Sequence, residues 1–127
     1  MGKKLHVLLA EDNLINQRLI TGLLKQLGHT GMVVPNGQEV LRCLEQHRFD
    51  VLLLDNMMPL MDGLTTLKHL RERERSARTR LQVIVVTADD DPQCQAEFMH
   101  AGADDFLIKP VQLHSLQQAL DKTQQRA

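Results

Sequence analysis

Short apolar runs alternate along this chain with stretches in which apolar residues recur every three or four positions. The runs fall at Leu5–Ala10, Thr30–Val34, Val51–Leu54, Gln82–Thr87 and Asp105–Ile108, and each predicts a strand. Between them, Ile15, Leu19, Leu23 and Leu27 predict the inward stripe of a first helix, broadened by Ile20 and Leu24. Val40, Leu41 and Leu44 predict a second helix, and Leu64, Leu67 and Leu70 a third. Cys94, Phe98 and Ala101 mark the fourth, and Leu113, Leu116 and Leu120 the fifth. Gly28 and Gly102 fall just past helices one and four, where a left-handed cap favours glycine. Pro92 suits the first turn of helix four, where its missing N–H is not needed.

Strict alternation of strand and helix implies a parallel sheet covered by helices on both faces. Runs one, three and four are nearly continuous in apolar residues, as central strands buried on both sides require. No repeat, linker or second domain breaks the pattern. The 127 residues read as one doubly wound α/β unit, 1–127, long enough for a single core.

Composition narrows the function. Fifteen basic and sixteen acidic residues leave a net charge of -1, which argues against a nucleic-acid-binding surface. Three Phe with no Trp or Tyr provide no stacking platform for bases. No apolar run approaches the roughly 20 residues that span a bilayer. Met1-Gly2-Lys3-Lys4 leads straight into the first run, so no signal peptide is expected. Cys43 and Cys94 lack metal-like spacing and read as reduced thiols of a cytosolic protein. The six histidines (6, 29, 47, 69, 100 and 114) are scattered without metal spacing, and none reads as a phosphodonor.

Asp55 draws attention because a carboxylate ending a buried strand is costly unless something there uses the charge. In a parallel α/β sheet, ligands bind beyond the carboxyl ends of the strands. Those ends carry Glu11 and Asp12 after strand one, Asp55 after strand three, Thr87 at strand four and Lys109-Pro110 after strand five. The opposite ends carry nothing comparable. Three neighbouring carboxylates repel by about 1 kcal/mol per pair in water at about 4 Å, and about 4 kcal/mol near a protein surface. A cation is the remedy. Oxygen-only ligands favour a hard ion such as partly hydrated Mg²⁺, with Mn²⁺ as the alternative. Mg²⁺ with Lys109 gives +3 against the -3 of the acids. A phosphoryl group on Asp55 would then bridge the metal, the ammonium and the Thr87 hydroxyl.

These residues resemble the receiver domain of two-component response regulators over essentially the whole chain. Glu11-Asp12 is similar to the family's acidic pair, and DNMMPLMDG (55–63) to its phosphoacceptor loop. Thr87-Ala88 and Lys109-Pro110 resemble its hydroxyl residue and its lysine with cis-proline. The resemblance implies a flavodoxin-like, five-stranded parallel sheet in order 2-1-3-4-5 with five helices. It implies that Asp55 accepts a phosphoryl group from a phosphohistidine on a histidine kinase or histidine phosphotransfer domain. Asp12, Asp55 and the Met57 backbone carbonyl would hold Mg²⁺, with Glu11 acting through a water. Thr87 and Lys109 would contact the phosphoryl oxygens. Phe106 matches the aromatic switch position, the alternative being a plain core or edge aromatic. The response would shift helix four, strand five and helix five, and the resemblance admits a phosphorylation-dependent dimer.

Glu11-Asp12-Asn13, Asn16-Gln17, Leu27-Gly28-His29 and Asn36-Gly37 resemble receivers of hybrid sensor histidine kinases, with a stand-alone single-domain regulator as the alternative. The chain is then a piece of a longer protein, cytoplasmic itself, whose parent could be membrane-anchored and would be a protein histidine kinase. The domain itself is expected to be a signalling receiver that catalyses its own phosphorylation and dephosphorylates slowly, not a turnover enzyme. A phosphohydrolase resembling the haloacid dehalogenase group would need an acid two residues beyond its nucleophile. Met57 stands there and cannot transfer a proton. Met58 is expected to pack under the loop with Met57 at the rim. Asp89-Asp90-Asp91 is expected to cap helix four. The run Arg71-Glu72-Arg73-Glu74-Arg75, continuing to Arg78 and Arg80, reads as the solvated end of helix three.

Overall fold

The computed structural model describes residues 3–77 and 79–126. Met1, Gly2 and Arg78, which figured in the sequence-based expectations, lie outside the described residues. The elements run β1 (His6–Ala10), α1 (Leu14–Gln26), β2 (Thr30–Val34), α2 (Gly37–Gln46), β3 (Val51–Asp55), α3 (Gly63–Glu74), β4 (Gln82–Thr87), α4 (Pro92–Ala101), β5 (Asp105–Ile108) and α5 (Leu113–Arg126). All strand pairs are parallel, and the order is β2-β1-β3-β4-β5. Asp55 is the last residue of β3 rather than the first of the loop, paired with Val86. Leu5 precedes β1 but is as buried as the strand.

The sheet separates two cores because successive strand residues face opposite ways. Val7, Leu9, Val51, Leu53, Ile84 and Val86 meet α1 and α5 through Ile20, Leu24, Leu116 and Leu120. Leu8, Leu52, Leu54, Val83 and Val85 meet α2, α3 and α4 through Val40, Leu41, Leu67, Leu70 and Phe98. A fully buried Leu or Ile contributes roughly 1.5–3 kcal/mol, so these layers carry the fold. Helix entries are fixed locally: Asn13, Asn36, Asp62 and Asp91 each accept a backbone N–H of the first turn. Gly28 (φ 84°) and Gly102 (φ 111°) adopt the left-handed conformation expected past α1 and α4. Met58 packs on the second core while Met57 is 75% exposed. Both cysteines are free, and burial raises their thiols above the ordinary range, helped by Glu39 for Cys43 and Asp89 for Cys94.

Four expectations need correction. The α1 stripe is rotated: Ile15 is 77% exposed and Leu19 40%, while Ile20 and Leu24 are fully buried. A row of residues four apart winds by about 40° per step, since 3.6 residues make a turn. Ile15 and Leu19 therefore start outside and the row reaches the core only at Leu23 and Leu27. Leu113 is likewise 40% exposed, being the first residue of α5.

The charged run after α3 is not simply solvated, and the opposite strand ends do carry a polar cluster. Arg71, 15% exposed, donates to the Gly102 carbonyl from Nε at 3.1 Å and Nη2 at 2.8 Å, and to the Leu81 carbonyl at 2.8 Å. It also pairs with Glu74 at 2.6 Å and Asp104 at 3.2 Å. Glu74 accepts the Leu81 N–H, Asp104 accepts the Val83 N–H, and Arg80 bonds Asp104 at 2.6 Å. These side chains satisfy backbone groups at the entries of β4 and β5, which the sheet itself leaves unpaired. Arg73 and Arg75 remain on the exposed side.

Gly63 joins this frame to the edge where Asp55 lies. A Cβ there would collide with the Asp55 carbonyl oxygen and lie 3.1 Å from Asn56 Cα. Only glycine lets the first turn of α3 approach the end of β3 so closely. Gly63→Ala is expected to lower stability by about 1–3 kcal/mol through overpacking, read as a lower urea midpoint. An unchanged midpoint would contradict the close approach.

Candidate functional site

Parallel pairing puts every strand's carboxyl end on one edge, and the five predicted residues meet there. Carboxylate oxygens of Glu11, Asp12 and Asp55 lie within 4.8 Å of one another. Asp12 is exposed, whereas Glu11 (1%) and Asp55 (3%) are buried. Lys109 Nζ sits between the buried pair, 3.0 Å from Asp55 Oδ1 and 3.1 Å from Glu11 Oε1. It arrives from the end of β5, where the Lys109 N–H donates to the Thr87 carbonyl and the Lys109–Pro110 peptide is cis.

Glu11 is held from several sides. Its N–H extends the sheet to the Val34 carbonyl, and its own carbonyl accepts Gln17 Nε2 at 2.7 Å. Oε2 accepts the Asn13 N–H at 3.2 Å. Oε1 is paired with the Lys109 ammonium at 3.1 Å and has no second partner among the described residues. Thr87, 1% exposed, accepts from Asn56 Nδ2 at 3.2 Å and from the Asp89 N–H at 3.0 Å. Thr87 therefore bonds the residue that follows Asp55, and makes no direct hydrogen bond to Asp55 itself. The Met57 N–H makes a long 3.4 Å contact with Asp55 Oδ1. Phe106 is half-buried on the α4 side, edge-on to Phe98 with ring centroids 6.1 Å apart. Asp91 caps α4 as expected, accepting the Gln93 N–H at 3.0 Å, and Asp89 accepts the Asp91 N–H.

Sequence reasoning assigned no role to Asn56 or Gln17, yet both grip groups of the site. The available signal was slight: a second polar residue directly after Asp55, and an amide one turn into α1. It also missed several exposed apolar side chains, including Leu14 (57%), Ile15 (77%) and Leu60 (78%). Leu60 is held with φ at 67°, in the left-handed region that a leucine rarely adopts.

The electrostatics follow from this crowding. Burial raises the Glu11 carboxyl above the usual range, and neighbouring Asp55 raises it further, while the Asn13 N–H and Lys109 pull back only in part. Burial depresses the Lys109 ammonium, but hydrogen bonds and charge attraction to Asp55 and then Glu11 outweigh it, leaving Lys109 above its ordinary value. Lys109 therefore stays charged through neutral pH. Its stabilisation is complete below the ordinary lysine range and is lost as pH rises through the raised value. The oxygen-only donor set and the excess of negative charge fit a hard divalent cation.

Residues 7–121 match the response regulator receiver domain family. The hybrid signal transduction protein dokA of Dictyostelium discoideum is 37% identical over 117 residues, covering 92% of this chain and 7% of that protein. The sensory/regulatory protein RpfC of Xanthomonas campestris is 33% identical over 109 residues, covering 86% of this chain and 15% of that protein. The chain thus spans only a small part of the curated relatives it matches. The receiver domain of a sensor histidine kinase from Pseudomonas aeruginosa, solved with magnesium coordinated in its active site cleft, aligns with a TM-score of 0.83 at 31% identity. That alignment covers 94% of this chain and 97% of the other. The receiver domain of Ssk1 from Saccharomyces cerevisiae, solved with the histidine phosphotransfer protein Ypd1, aligns at 0.87 with 25% identity, covering 95% and 89%. The chain belongs to the response regulator receiver domain family, the receivers of two-component phosphorelay signalling.

The raised Glu11 carboxyl has a sign that can be checked. Its ionised form opposes folding above the raised value, and that penalty is relieved as pH falls through it. Glu11→Gln is expected to be more stable than the parent near pH 7 in chelator, with the gap closing on acidification. The variant should also gain less stability from added Mg²⁺ than the parent does. Thermal unfolding with and without metal reads both effects, and a variant less stable than the parent in chelator contradicts this account.

Proposed function

We propose that Asp55 accepts a phosphoryl group from a phosphohistidine on a histidine kinase or histidine phosphotransfer domain. The observation that carries this reading is the buried Asp55 carboxylate at a strand end, between Lys109 Nζ and the acids Glu11 and Asp12. Asp12, Asp55 and the Met57 backbone carbonyl would hold Mg²⁺, or Mn²⁺ in its place, with Glu11 acting through a water. When bound, the ion offsets negative charge on the carboxylates and on the equatorial phosphoryl oxygens. Asp55 forms its O–P bond as the donor's N–P bond breaks, and the imidazole leaves neutral once it takes up a proton. Lys109 and Thr87 contact the phosphoryl oxygens. Phe106 passes a Thr87 movement to the α4–β5–α5 face, biasing a two-state equilibrium, a role supported by its edge-on packing against Phe98 of α4.

The exposed apolar residues Leu14, Ile15, Leu19, Met57 and Leu60 support docking of the donor over the α1 side of the site. The chain acts as one receiver unit of a longer hybrid sensor histidine kinase, working in the cytoplasm. A stand-alone regulator is the alternative reading. Met57 disfavours phosphohydrolase turnover, since a thioether transfers no proton.

Asp55→Asn is expected to abolish labelling by a small acyl-phosphate donor with Mg²⁺, while the parent takes up one phosphoryl group per chain by intact mass. Persistent labelling of the variant, or catalytic turnover of phosphate esters by the parent, overturns the assignment. Because Met57 orients attacking water poorly, Met57→Asn should shorten the phosphoryl lifetime several-fold in a decay time course. A variant that decays no faster than the parent removes that role.

A further inference from the structure

The hydrogen bonds of Thr87 are more informative than its position alone. Its Oγ1 accepts Asn56 Nδ2 and the Asp89 N–H, at 3.2 and 3.0 Å. A hydroxyl has two lone pairs and one proton. Both lone pairs are engaged, and among the described residues Thr87 Oγ1 donates to none. Its remaining capacity is one proton, in a residue 1% exposed at the end of β4, the strand that pairs with the end of β3 carrying Asp55.

Asn56 is firmly placed for this contact. Its N–H donates to the Val86 carbonyl and its carbonyl accepts the Gly63 N–H, each at 3.1 Å. The backbone of Asn56 is thus fixed between the end of β3 and the start of α3, with its amide facing the end of β4. On the other side, the Asp89 segment is tied through Asp91 to the cap of α4.

We propose that Asn56 is a positioning residue for phosphoryl transfer: by filling a lone pair of Thr87 Oγ1, it commits that hydroxyl to donate its proton to an oxygen of the phosphoryl group on Asp55. The inference rests on Asp55 being the phosphoacceptor. Asn56 touches no phosphoryl oxygen itself. A hydroxyl free to rotate divides its proton among several acceptors, including the carboxylates and water. One pinned by two donors has a single direction left. A carboxylate at position 56 would reverse the arrangement, because it only accepts and would draw the Thr87 proton to itself.

The test is a double-mutant cycle read by affinity for fluoroberyllate, a phosphoryl mimic, in Mg²⁺. Asn56→Ala is expected to weaken fluoroberyllate binding about tenfold in the parent background, as for one hydrogen bond to a charged group. In a Thr87→Ala background the same change should have less than about a twofold effect, because the two residues act through one contact. Affinity for Mg²⁺ alone should stay within about twofold of the parent, since it does not involve the Thr87 hydroxyl; a general loosening of the loop would move both. Asn56→Asp, nearly isosteric, should lose at least as much fluoroberyllate affinity as Asn56→Ala. Additive losses in the two backgrounds, or parent-like binding by Asn56→Asp, overturn the proposal. A parent protein that fails to bind fluoroberyllate strikes the phosphoacceptor reading instead, which keeps the two failures distinct.

Discussion

The Lys109 ammonium lies between two buried carboxylates, and the remainder of the site is arranged around that contact. Asp55 and Glu11 sit side by side with little solvent, so without the lysine their repulsion would be set against a low local dielectric. The lysine answers two acids only in part, and Asp12 adds a third at the rim. The raised Glu11 carboxyl is the residue of that imbalance. A site with excess negative charge and one fixed cation is prepared for a divalent ion. On the proposed function, the ion in place would also suit it to a transferred anionic group. Stability of the resting domain and readiness for its chemistry are therefore opposed, which accounts for acids persisting where a hydrophobic strand end would fold more easily.

Holding those charges in place is the work of the sheet and of close backbone approaches beneath it. The ends of β1, β3, β4 and β5 are brought level by continuous parallel register. Gly63 then lets α3 start against the Asp55 carbonyl, turning the loop that carries Asn56 and Met57 over the site. At the far edge, Arg71 and Asp104 close the entries of β4 and β5, so both rims of the sheet are polar but to different ends. One rim satisfies its own backbone groups. The other keeps a charge imbalance available to a ligand.

Much of the site was legible because its members occupy equivalent places in a repeating pattern. Glu11, Asp12, Asp55, Thr87 and Lys109 each follow or end an apolar run, and a parallel sheet sends all such ends to one edge. Asn56 was not legible as a participant, since its hydrogen bond to Thr87 spans 31 positions and depends on the register of β3 with β4. Arg71 was misjudged for a related reason. An arginine in an alternating charged run looks solvated until the Gly102 carbonyl, from another helix end, is found above it. The α1 stripe failed differently: its spacing was helical, but spacing does not say which part of a winding row faces the sheet. Ile15 and Leu19 lie at the start of that row, on the open side.

The sequence by itself determined the order of elements, the parallel sheet with its buried central strands, and the edge on which the polar strand ends gather. Those follow from local periodicity and from the handedness of strand–helix–strand connections, which hold whatever the details of packing. The tertiary structure alone decided the rotation of α1 and the pairing of Lys109 with both Glu11 and Asp55. It also decided the hydrogen bond between Asn56 and Thr87, and the burial of Arg71. Each of these depends on distances between residues far apart in the chain, and a shift of one position in register or a modest helix rotation would change every one of them.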